Sequence, residues 1–459
     1  MTSTSAFPPE SPHLRDLLAR RPGLRIEVPD DVLSGADVLA STAFSEPPSA
    51  FAGKSVLIGA RSLRMSARAL LELDGLAARL VICPPDFSGN RLANALDQAK
   101  VDVVVSDVPR SDVGGRNVAR LASPRPRDEG APVARVSSEW VLPTSGTTGA
   151  PKLVEHRLAG LLGAIDPSAD TPVWATFYDI RRYGGLQIFL RACVAGGTLV
   201  LTEAHEALPD FLARCKAAQV SHMSGTPSHW RRLLMSPHVA EVAPRNVRLS
   251  GEIADAAILG ALRDAFPTAS IVHAYASTEA GVGFEVRDGR EGFPAAFLGG
   301  LPDVDLRLID GALHLRSQRA ARGYVGREDL ALRDTEGFVD TGDIVERIGD
   351  RCFFRGRRSG AINVGGLKVH PEEVERVINM HEEVRMSRVF ARKNPIMGDL
   401  IAAEIVLTDA GASRPQTEVR EEVLTACRNA LPRHMAPASV KIVPALEVTA
   451  AGKLARAHA

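Results

Sequence analysis

Residues 144 to 152 read Thr144-Ser145-Gly146-Thr147-Thr148-Gly149-Ala150-Pro151-Lys152. Apolar runs at 140–142 and 153–154 flank this segment, which is typical of a loop between two strands. The two glycines free the backbone to turn N–H groups towards an anion, while the hydroxyls add donors and Lys152 adds positive charge. The segment therefore predicts a phosphate-binding loop. The lysine follows the last glycine by three residues, which excludes the GxxxxGK[ST] loop of P-loop NTPases.

Apolar runs alternate with helical patterns on both sides of this loop. Before the loop, the strand candidates are 55–60, 80–83 and 101–105, and the helix candidates between them are 63–76 and 92–99. The same alternation resumes after residue 150. Continuous apolar strands separated by helices are typical of parallel, doubly wound sheets. We therefore expect an α/β fold that binds its ligands beyond the carboxyl ends of the strands.

The composition changes towards the carboxyl terminus and predicts further domains. Short strands separated by Gly- and Pro-rich turns predict a small β subdomain at about 298–354. A basic, glycine-punctuated link at 355–360 follows, and a β-α-β pattern predicts a small α+β domain at 361–459. We therefore expect a large amino-terminal domain at 1–354, a hinge at 355–360 and a small mobile domain at 361–459.

Charge and cysteine usage narrow the functional class. The 459 residues include 55 Lys plus Arg and 55 Asp plus Glu, so no general field attracts nucleic acid or an anionic membrane. The five cysteines form no CxxC motif and are expected to be buried thiols. No signal peptide or apolar stretch of membrane-spanning length is evident. We expect a cytoplasmic protein without a membrane span.

Five further motifs follow the loop in order. They are His273-Ala274-Tyr275-Ala276-Ser277-Thr278-Glu279, Thr341-Gly342-Asp343, Gly356-Arg357, Gly365-Gly366-Leu367-Lys368 and Gly452-Lys453-Leu454-Ala455-Arg456. Together with the loop they resemble the motifs of the adenylate-forming superfamily, which includes acyl-CoA synthetases, adenylation domains of peptide synthetases and beetle luciferases. The resemblance covers roughly residues 50 to 459. Ala276 and Ser359 depart from it, because the family usually has Gly at the first position and Asp or Lys at the second, the hinge.

The resemblance implies a role for each motif. Its implied ATP- and AMP-binding residues are Thr144, Ser145, Gly146, Thr147, Thr148, Gly149, Lys152, Tyr275, Ser277, Thr278, Asp343 and Arg357. Tyr275 would pack on adenine, and Asp343 and Arg357 would bind the ribose. The implied catalytic residues are Lys453, Thr278 and Glu279, with Glu279 also holding Mg²⁺.

The implied reaction activates a small carboxylic acid with ATP to give an acyl-adenylate and then transfers the acyl group to a thiol. The small domain would rotate between the two steps at a hinge containing Ser359 and present Gly365, Gly366 and Lys368 to the thiol. Coenzyme A is the first expectation for the thiol acceptor. Whether the acceptor is coenzyme A or a carrier protein, we expect it to be a separate molecule. A stand-alone adenylation enzyme that loads a phosphopantetheinyl carrier protein, and a nucleotide-binding relative without catalysis, remain as alternatives.

The sequence indicates the residues that would contact the acid less clearly than those that would bind ATP. Arg181 and Arg182 lie beside Tyr183 near the position where related ligases often carry a pocket histidine. An arginine there would pair with a second polar or anionic group of the substrate. Ser224, Gly225 and Ser250 are further candidates for the pocket wall.

Overall fold

A computed structural model of the chain describes residues 13–127, 134–144, 152–167, 171–394, 398–449 and 451–455. The helices are α1 (Leu14–Arg20), α2 (Gly35–Ala40), α3 (Leu63–Leu73), α4 (Gly89–Gln98), α5 (Leu158–Leu162), α6 (Tyr183–Ala195), α7 (Leu208–Ala217), α8 (Pro227–Leu234), α9 (Ala256–Ala265), α10 (Pro371–Asn379), α11 (Asp409–Ala412) and α12 (Gln416–Ala430). No helix in these ranges is both long enough and apolar enough to cross a membrane.

The strands of the large domain are β1 (Arg25–Val28), β2 (Asp31–Ser34), β3 (Ser41–Phe44), β4 (Ser55–Ile58), β5 (Arg79–Ile82), β6 (Val103–Ser106), β7 (Asn117–Pro126), β8 (Glu139–Pro143), β9 (Leu153–Arg157), β10 (Val173–Thr176), β11 (Thr198–Leu201), β12 (His222–Gly225), β13 (Asn246–Ser250), β14 (Ser270–Ser277) and β15 (Gly281–Val286). The later strands are β16 (Phe293–Pro294), β17 (Val304–Ile309), β18 (Ala312–Ser317), β19 (Gly323–Tyr324), β20 (Val339–Ile348), β21 (Arg351–Arg357), β22 (Ile362–Val364), β23 (Leu367–Val369), β24 (Val384–Asn394), β25 (Gly398–Leu407) and β26 (Ser439–Ile442).

Two eight-stranded sheets, each with a parallel centre, build the large domain. One sheet has the order β19-β9-β8-β5-β4-β6-β7-β3 and the other β15-β14-β13-β12-β10-β11-β1-β2. The largest apolar core joins the two sheets through side chains of α3 and α6. The predicted α/β fold is therefore confirmed. Sheets of this kind bind ligands beyond the carboxyl ends of their strands, and we call the region between the carboxyl ends of β12, β13 and β14 and the later domains the cleft.

The later part of the chain forms a β subdomain and a small α+β domain. The subdomain is a five-stranded antiparallel sheet with the order β16-β21-β20-β18-β17. The small domain contains the hairpin β22-β23 and the three-stranded sheet β24-β25-β26, which packs with α10 and α12. The predicted link at 355–360 overlaps the end of β21, and a short 3-10 turn, Arg358–Gly360, follows it.

Local sequence explains where several of these elements begin. The Thr226 hydroxyl caps α8 and Pro227 is its first residue, while the Asp255 carboxylate caps α9 by accepting from Ile258 N at 2.9 Å. Pro371 is the first residue of α10, with Glu372 and Glu373 in the first turn. All five cysteines are buried free thiols, which confirms that expectation.

Candidate active site

A tight loop at the carboxyl-terminal end of the described chain carries Lys453. An isolated bridge between Val448 and Leu454 closes the loop, and Thr449 N donates to Lys453 O at 2.7 Å. The lysine side chain points into the large domain beside Gly251, which follows β13. A Cβ built on Gly251 would lie 3.4 Å from Lys453 Cε and 4.0 Å from Nζ. Lys453 therefore reaches the rim of the cleft in this structure.

Two hydrogen bonds and one close packing contact hold this loop against the large domain. Thr226 Oγ1 donates to Gly452 O at 2.6 Å, and Leu454 N donates to Glu252 Oε1 at 2.9 Å. The Glu252 carboxylate also accepts from Ser228 N and Oγ at the start of α8. Gly452 faces the His229 ring so closely that a Cβ there would lie 1.8 Å from Cε1.

The surroundings of Lys453 are both desolvated and charged. Burial is the largest cause that lowers the pKa of Lys453, and the positive charge of Arg357 lowers it further. The carboxylates of Glu252, Asp343 and Glu279 oppose this shift. The three predicted groups Asp343, Arg357 and Glu279 thus lie within electrostatic reach of the predicted catalytic lysine.

Asp343 is the centre of a small network on the subdomain side of the cleft. Its Oδ1 accepts from Arg357 Nε at 3.0 Å, and its Oδ2 accepts from the Tyr275 hydroxyl. The Tyr275 ring stacks on Phe284 and Phe354, with centroids 5.3 and 5.2 Å away. The contact between Tyr275 and adenine stays a prediction, because in this structure the ring surface packs against phenylalanines.

Thr278 and Glu279 follow β14 and lie in a turn at the cleft. The backbone of this turn is held by His156, whose Nε2 donates to Thr278 O at 2.8 Å, and by Ala321 N, which donates to Glu279 O at 2.9 Å. Ser277 Oγ accepts from Ala280 N at 2.9 Å. Within the described ranges the Glu279 carboxylate makes no hydrogen bond or ion pair, which leaves an oxygen donor for a hard cation such as Mg²⁺.

His156 is a positioning residue that the sequence motifs did not reveal. It is almost fully buried, and burial lowers its pKa to about 4, so the neutral ring with its proton on Nε2 suits the bond to Thr278 O. His156 lies on β9, 122 residues before Thr278. A contact over such a separation leaves no periodicity in the sequence.

The ends of the predicted phosphate loop are described, and its centre is not. Thr144 N donates to Lys152 O at 2.8 Å, which brings the ends of the loop together. Lys152 Nζ lies 5.0 Å from the centroid of the Tyr324 ring, and the Glu279 charge acts on the same Tyr324. The loop residues that lie outside the described ranges are Ser145, Gly146, Thr147, Thr148, Gly149, Ala150 and Pro151.

The arginines predicted to face the acid are used by the protein itself. Arg181 is 4% exposed and pairs through two nitrogens with Asp179, while its NH1 donates to the carbonyls of residues 60 and 61. Arg182 NH2 donates to Asp86 at 2.5 Å. The Tyr183 side chain is buried in the core and packs near His156, with centroids 5.5 Å apart. These contacts engage Arg181 and Arg182 within the protein, and a contact of Arg181, Arg182 or Tyr183 with the acid stays a prediction.

The other wall candidates do lie at the rim. Ser250 follows Leu249 at the end of β13, and the Tyr178 hydroxyl donates to Ser250 O at 2.8 Å. Ser224 and Gly225 end β12, where a Cβ on Gly225 would lie 2.9 Å from the Phe177 ring. Through its hydrogen bond to Ser250, Tyr178 belongs to the same wall.

The residues predicted to form the hinge and to contact the thiol lie in the 3-10 turn after β21 and in the hairpin β22-β23. Ser359 is exposed in the 3-10 turn after β21. Gly365 and Gly366 form the turn between β22 and β23 with φ of +58° and +92°, and Lys368 is exposed on β23. Such angles favour glycine at both positions. The described contacts do not bring this hairpin to Lys453.

Two models of protein families match the sequence of this chain. The model of the AMP-binding enzyme family matches residues 75–325, and that of the AMP-binding enzyme C-terminal domain matches residues 373–453. The chain belongs to the AMP-binding enzyme family. Membership confirms the resemblance to adenylate-forming enzymes, and the second match ends at Lys453.

Individual members of the AMP-binding enzyme family resemble this chain over most of its length. The isonitrile lipopeptide synthase of Streptomyces coeruleorubidus is 29% identical over 82% of this chain. The chain spans only 28% of that synthase and 36% and 15% of the next two curated relatives.

Two solved structures share the fold. An anthranilate CoA ligase in complex with anthranoyl-AMP has a TM-score of 0.77 at 16% identity, covering 96% of this chain and 95% of that one. An o-succinylbenzoate coenzyme A synthetase from Bacillus subtilis, in complex with ATP and a magnesium ion, has a TM-score of 0.75 at 18% identity, covering 96% and 97%.

Proposed function

We propose that this protein uses ATP to convert a carboxylic acid into an acyl-adenylate, with release of pyrophosphate, and then passes the acyl group to a thiol. The observation that carries the proposal is the position of Lys453, whose ammonium enters the cleft beside Gly251 and within reach of the charges of Asp343, Arg357 and Glu279. Family membership and the acyl-adenylate and ATP complexes of proteins with this fold support it.

The chemistry needs a cation between two anions. A carboxylate oxygen attacks the α-phosphorus of ATP, a phosphorus–oxygen bond forms, and the bond to pyrophosphate breaks. The protein contributes position and charge to this displacement and forms no covalent bond itself. A lysine ammonium suits the task because it is a compact charge with several donors on a flexible stem.

We assign the remaining groups by their surroundings. Asp343 and Arg357 would bind the ribose, and the loop from Thr144 to Lys152 together with Thr278 would bind the phosphates. Glu279 would hold Mg²⁺, since its carboxylate has no partner within the described part of the chain. Bound there, Mg²⁺ would offset negative charge on the phosphates. His156 would keep the Thr278–Glu279 turn in place.

In the second half-reaction a thiol sulfur attacks the acyl carbonyl and AMP leaves. We propose coenzyme A as the acceptor, because proteins named CoA ligase and coenzyme A synthetase share this fold over 95% or more of their chains. The sequence similarity to a lipopeptide synthase favours the second candidate, a separate carrier protein with a phosphopantetheinyl thiol. The hinge at Ser359 would allow the small domain to rotate for this step, and the thiol would meet Gly365, Gly366 and Lys368. The cytoplasmic location of the protein stays a prediction.

A panel of carboxylic acids tests the proposal through ATP–pyrophosphate exchange. At least one acid is expected to support acid-dependent exchange, and chelation of magnesium is expected to abolish it. The preferred acid is then offered with free coenzyme A or with a phosphopantetheinyl carrier, and thioester formation distinguishes the two acceptors. Absence of exchange with every acid, in a folded protein that still binds ATP, would favour the non-catalytic relative.

A further inference from the structure

A group of charged side chains lies on the sheet beneath the rim of the cleft. Arg248 of β13 is 8% exposed, and its NH1 lies 2.6 Å from Glu285 Oε1 on β15. Arg191 of α6 approaches the same oxygen at 3.7 Å. The exposed Arg287 pairs with the other oxygen of Glu285. Two poorly hydrated guanidinium groups therefore share one carboxylate.

The strand β13 gives the backbone separation between Arg248, which carries this charge, and the residue beside which Lys453 enters. Side chains alternate along a strand, so Arg248 and Ser250 lie on the same face. Gly251 follows Ser250, and a Cβ built on it would lie 3.4 Å from Lys453 Cε. At a rise of about 3.3 Å per residue, Arg248 lies about 7–10 Å before the point where Lys453 enters.

The charge of Arg248 acts on Tyr178, a residue of the cleft wall. The Tyr178 hydroxyl contacts Ser250 O and Oγ at 2.8 and 3.0 Å. The charges of Arg248 and of Glu252, which binds the Lys453 loop, both act on the pKa of this phenol. A substrate that reaches from Lys453 along β13 would thus pass Tyr178 and Ser250 and approach Arg248.

At this end of the wall three arginines share the single carboxylate of Glu285, and two buried polar atoms have no hydrogen-bond partner among the described residues. Burial and the charge of Arg248 lower the pKa of Arg191 to about 10. Arg191 Nε and Ser224 Oγ are buried and have no hydrogen-bond partner among the described residues. Ser224 lies beside Arg248 in the sheet, because the two are register partners of β12 and β13. Buried donors without acceptors are costly unless a ligand supplies the acceptor.

We propose that the acid substrate carries a second anionic group, about 7–10 Å from the carboxylate that is activated, and that Arg248 and Arg191 determine this specificity. The inference rests on the proposed function, since it names the class of acid that the same site takes. Arg248 and Arg191 would supply the charge that the sequence assigned to Arg181 and Arg182. Aliphatic or aryl dicarboxylates of this span are the probes that fit.

The test compares dicarboxylates of increasing length with their half-esters, which keep the length and remove one charge. In ATP–pyrophosphate exchange, kcat/KM for the best dicarboxylate is expected to exceed that of its half-ester by about 10²-fold. Arg248→Met is expected to abolish most of this ratio, and Glu285→Gln to increase it because a competing anion is removed. Arg287→Met, which changes the exposed partner of Glu285, is the matched control and is expected to keep the ratio.

A binding measurement separates failure of this inference from failure of the proposed function. Sulfamoyl-adenosine analogues of the diacid and of its half-ester are titrated by calorimetry, which requires no turnover. Tighter binding of the diacid analogue, lost in Arg248→Met, supports the inference even if exchange is absent. Equal binding of the two analogues, or exchange that is fastest with wholly apolar acids, would overturn it and leave acyl-adenylate formation intact.

Discussion

The Thr226 hydroxyl donates a 2.6 Å hydrogen bond to the carbonyl oxygen of Gly452, and this contact joins the start of α8 to the loop that carries Lys453. Thr226 is also the helix cap, because its hydroxyl accepts from His229 N at 3.1 Å. The same helix start therefore orders the ring of His229 and receives the loop that packs on it. The position of the lysine depends on this junction.

Replacing Gly452 with alanine should separate the lysine from the cleft. A Cβ there would lie 1.8 Å from His229 Cε1, and φ at this position is +70°. The loop must move by more than an ångström, so we expect ATP–pyrophosphate exchange to fall by about 10²-fold. Gly299→Ala is the control, since a Cβ there would meet nothing within 4 Å. Full exchange activity in Gly452→Ala would contradict this account of the junction.

The stability of the protein should fall as pH decreases from about 6.5 towards 4. Burial lowers the pKa of His156 from 6.5 to about 4, so within this window the unfolded chain binds a proton that the folded chain does not. At 1.36 kcal/mol per pH unit, His156 alone contributes up to about 3 kcal/mol of this loss.

Urea unfolding at several pH values measures the effect. His156→Gln keeps an N–H donor for Thr278 O but cannot titrate, so its free energy of unfolding should depend less steeply on pH than that of the wild type. His205→Gln serves as the control because His205 is exposed. Identical pH slopes for wild type and His156→Gln would show that His156 is not the group that titrates.

The loss of ATP–pyrophosphate exchange activity at alkaline pH, which we call the alkaline limb, should follow deprotonation of Lys453. Its pKa lies below that of an ordinary lysine, so the ammonium loses its proton, and activity falls, at a lower pH than usual. Removing the positive charge of Arg357 should raise this pKa and move the limb to higher pH. Arg358→Met, which removes an exposed arginine paired with Asp340, is the control. An alkaline limb that does not move in Arg357→Met would argue against this coupling.

Contacts of α10 should favour the domain orientation in which Lys453 enters the cleft. Arg376 Nε lies 2.7 Å from Glu291 Oε1, and Asn379 Nδ2 donates to Asp255 Oδ2 at 3.2 Å. Two such contacts are worth about 1–2 kcal/mol, so removing both should shift the orientation and slow adenylation about tenfold.

Thiol transfer from supplied acyl-adenylate should be maintained in Arg376→Ala/Asn379→Ala, because we propose that this step uses another orientation of the small domain. Arg428→Ala on α12 controls for loss of an exposed arginine of the same domain. If the double variant slows both half-reactions equally, these contacts do not select between orientations.

Local patterns in the sequence predicted elements and motifs better than they predicted partners. The strands predicted at 55–60, 80–83 and 101–105 overlap β4, β5 and β6, and the helices predicted at 63–76 and 92–99 overlap α3 and α4. The order of short motifs singled out Lys453, Asp343 and Arg357, which the fold brings together.

Long-range pairing is what local patterns do not contain. Thr226 and Gly452 are separated by 226 residues, so their contact could not be inferred from spacing. The sequence also did not reveal that Asp179 and two carbonyl groups accept hydrogen bonds from the Arg181 guanidinium inside the fold. Arg248 lies inside an apolar strand, where only the sheet register shows that its neighbours are Ser224 and Val272.

The most direct test of the central claim is ATP–pyrophosphate exchange by Lys453→Ala with the preferred acid, beside Lys441→Ala as an exposed-lysine control. If the Lys453 ammonium joins the acid carboxylate to ATP, exchange falls at least about 10²-fold in Lys453→Ala, while the control keeps its rate. Wild-type exchange in a folded Lys453→Ala protein would contradict the account.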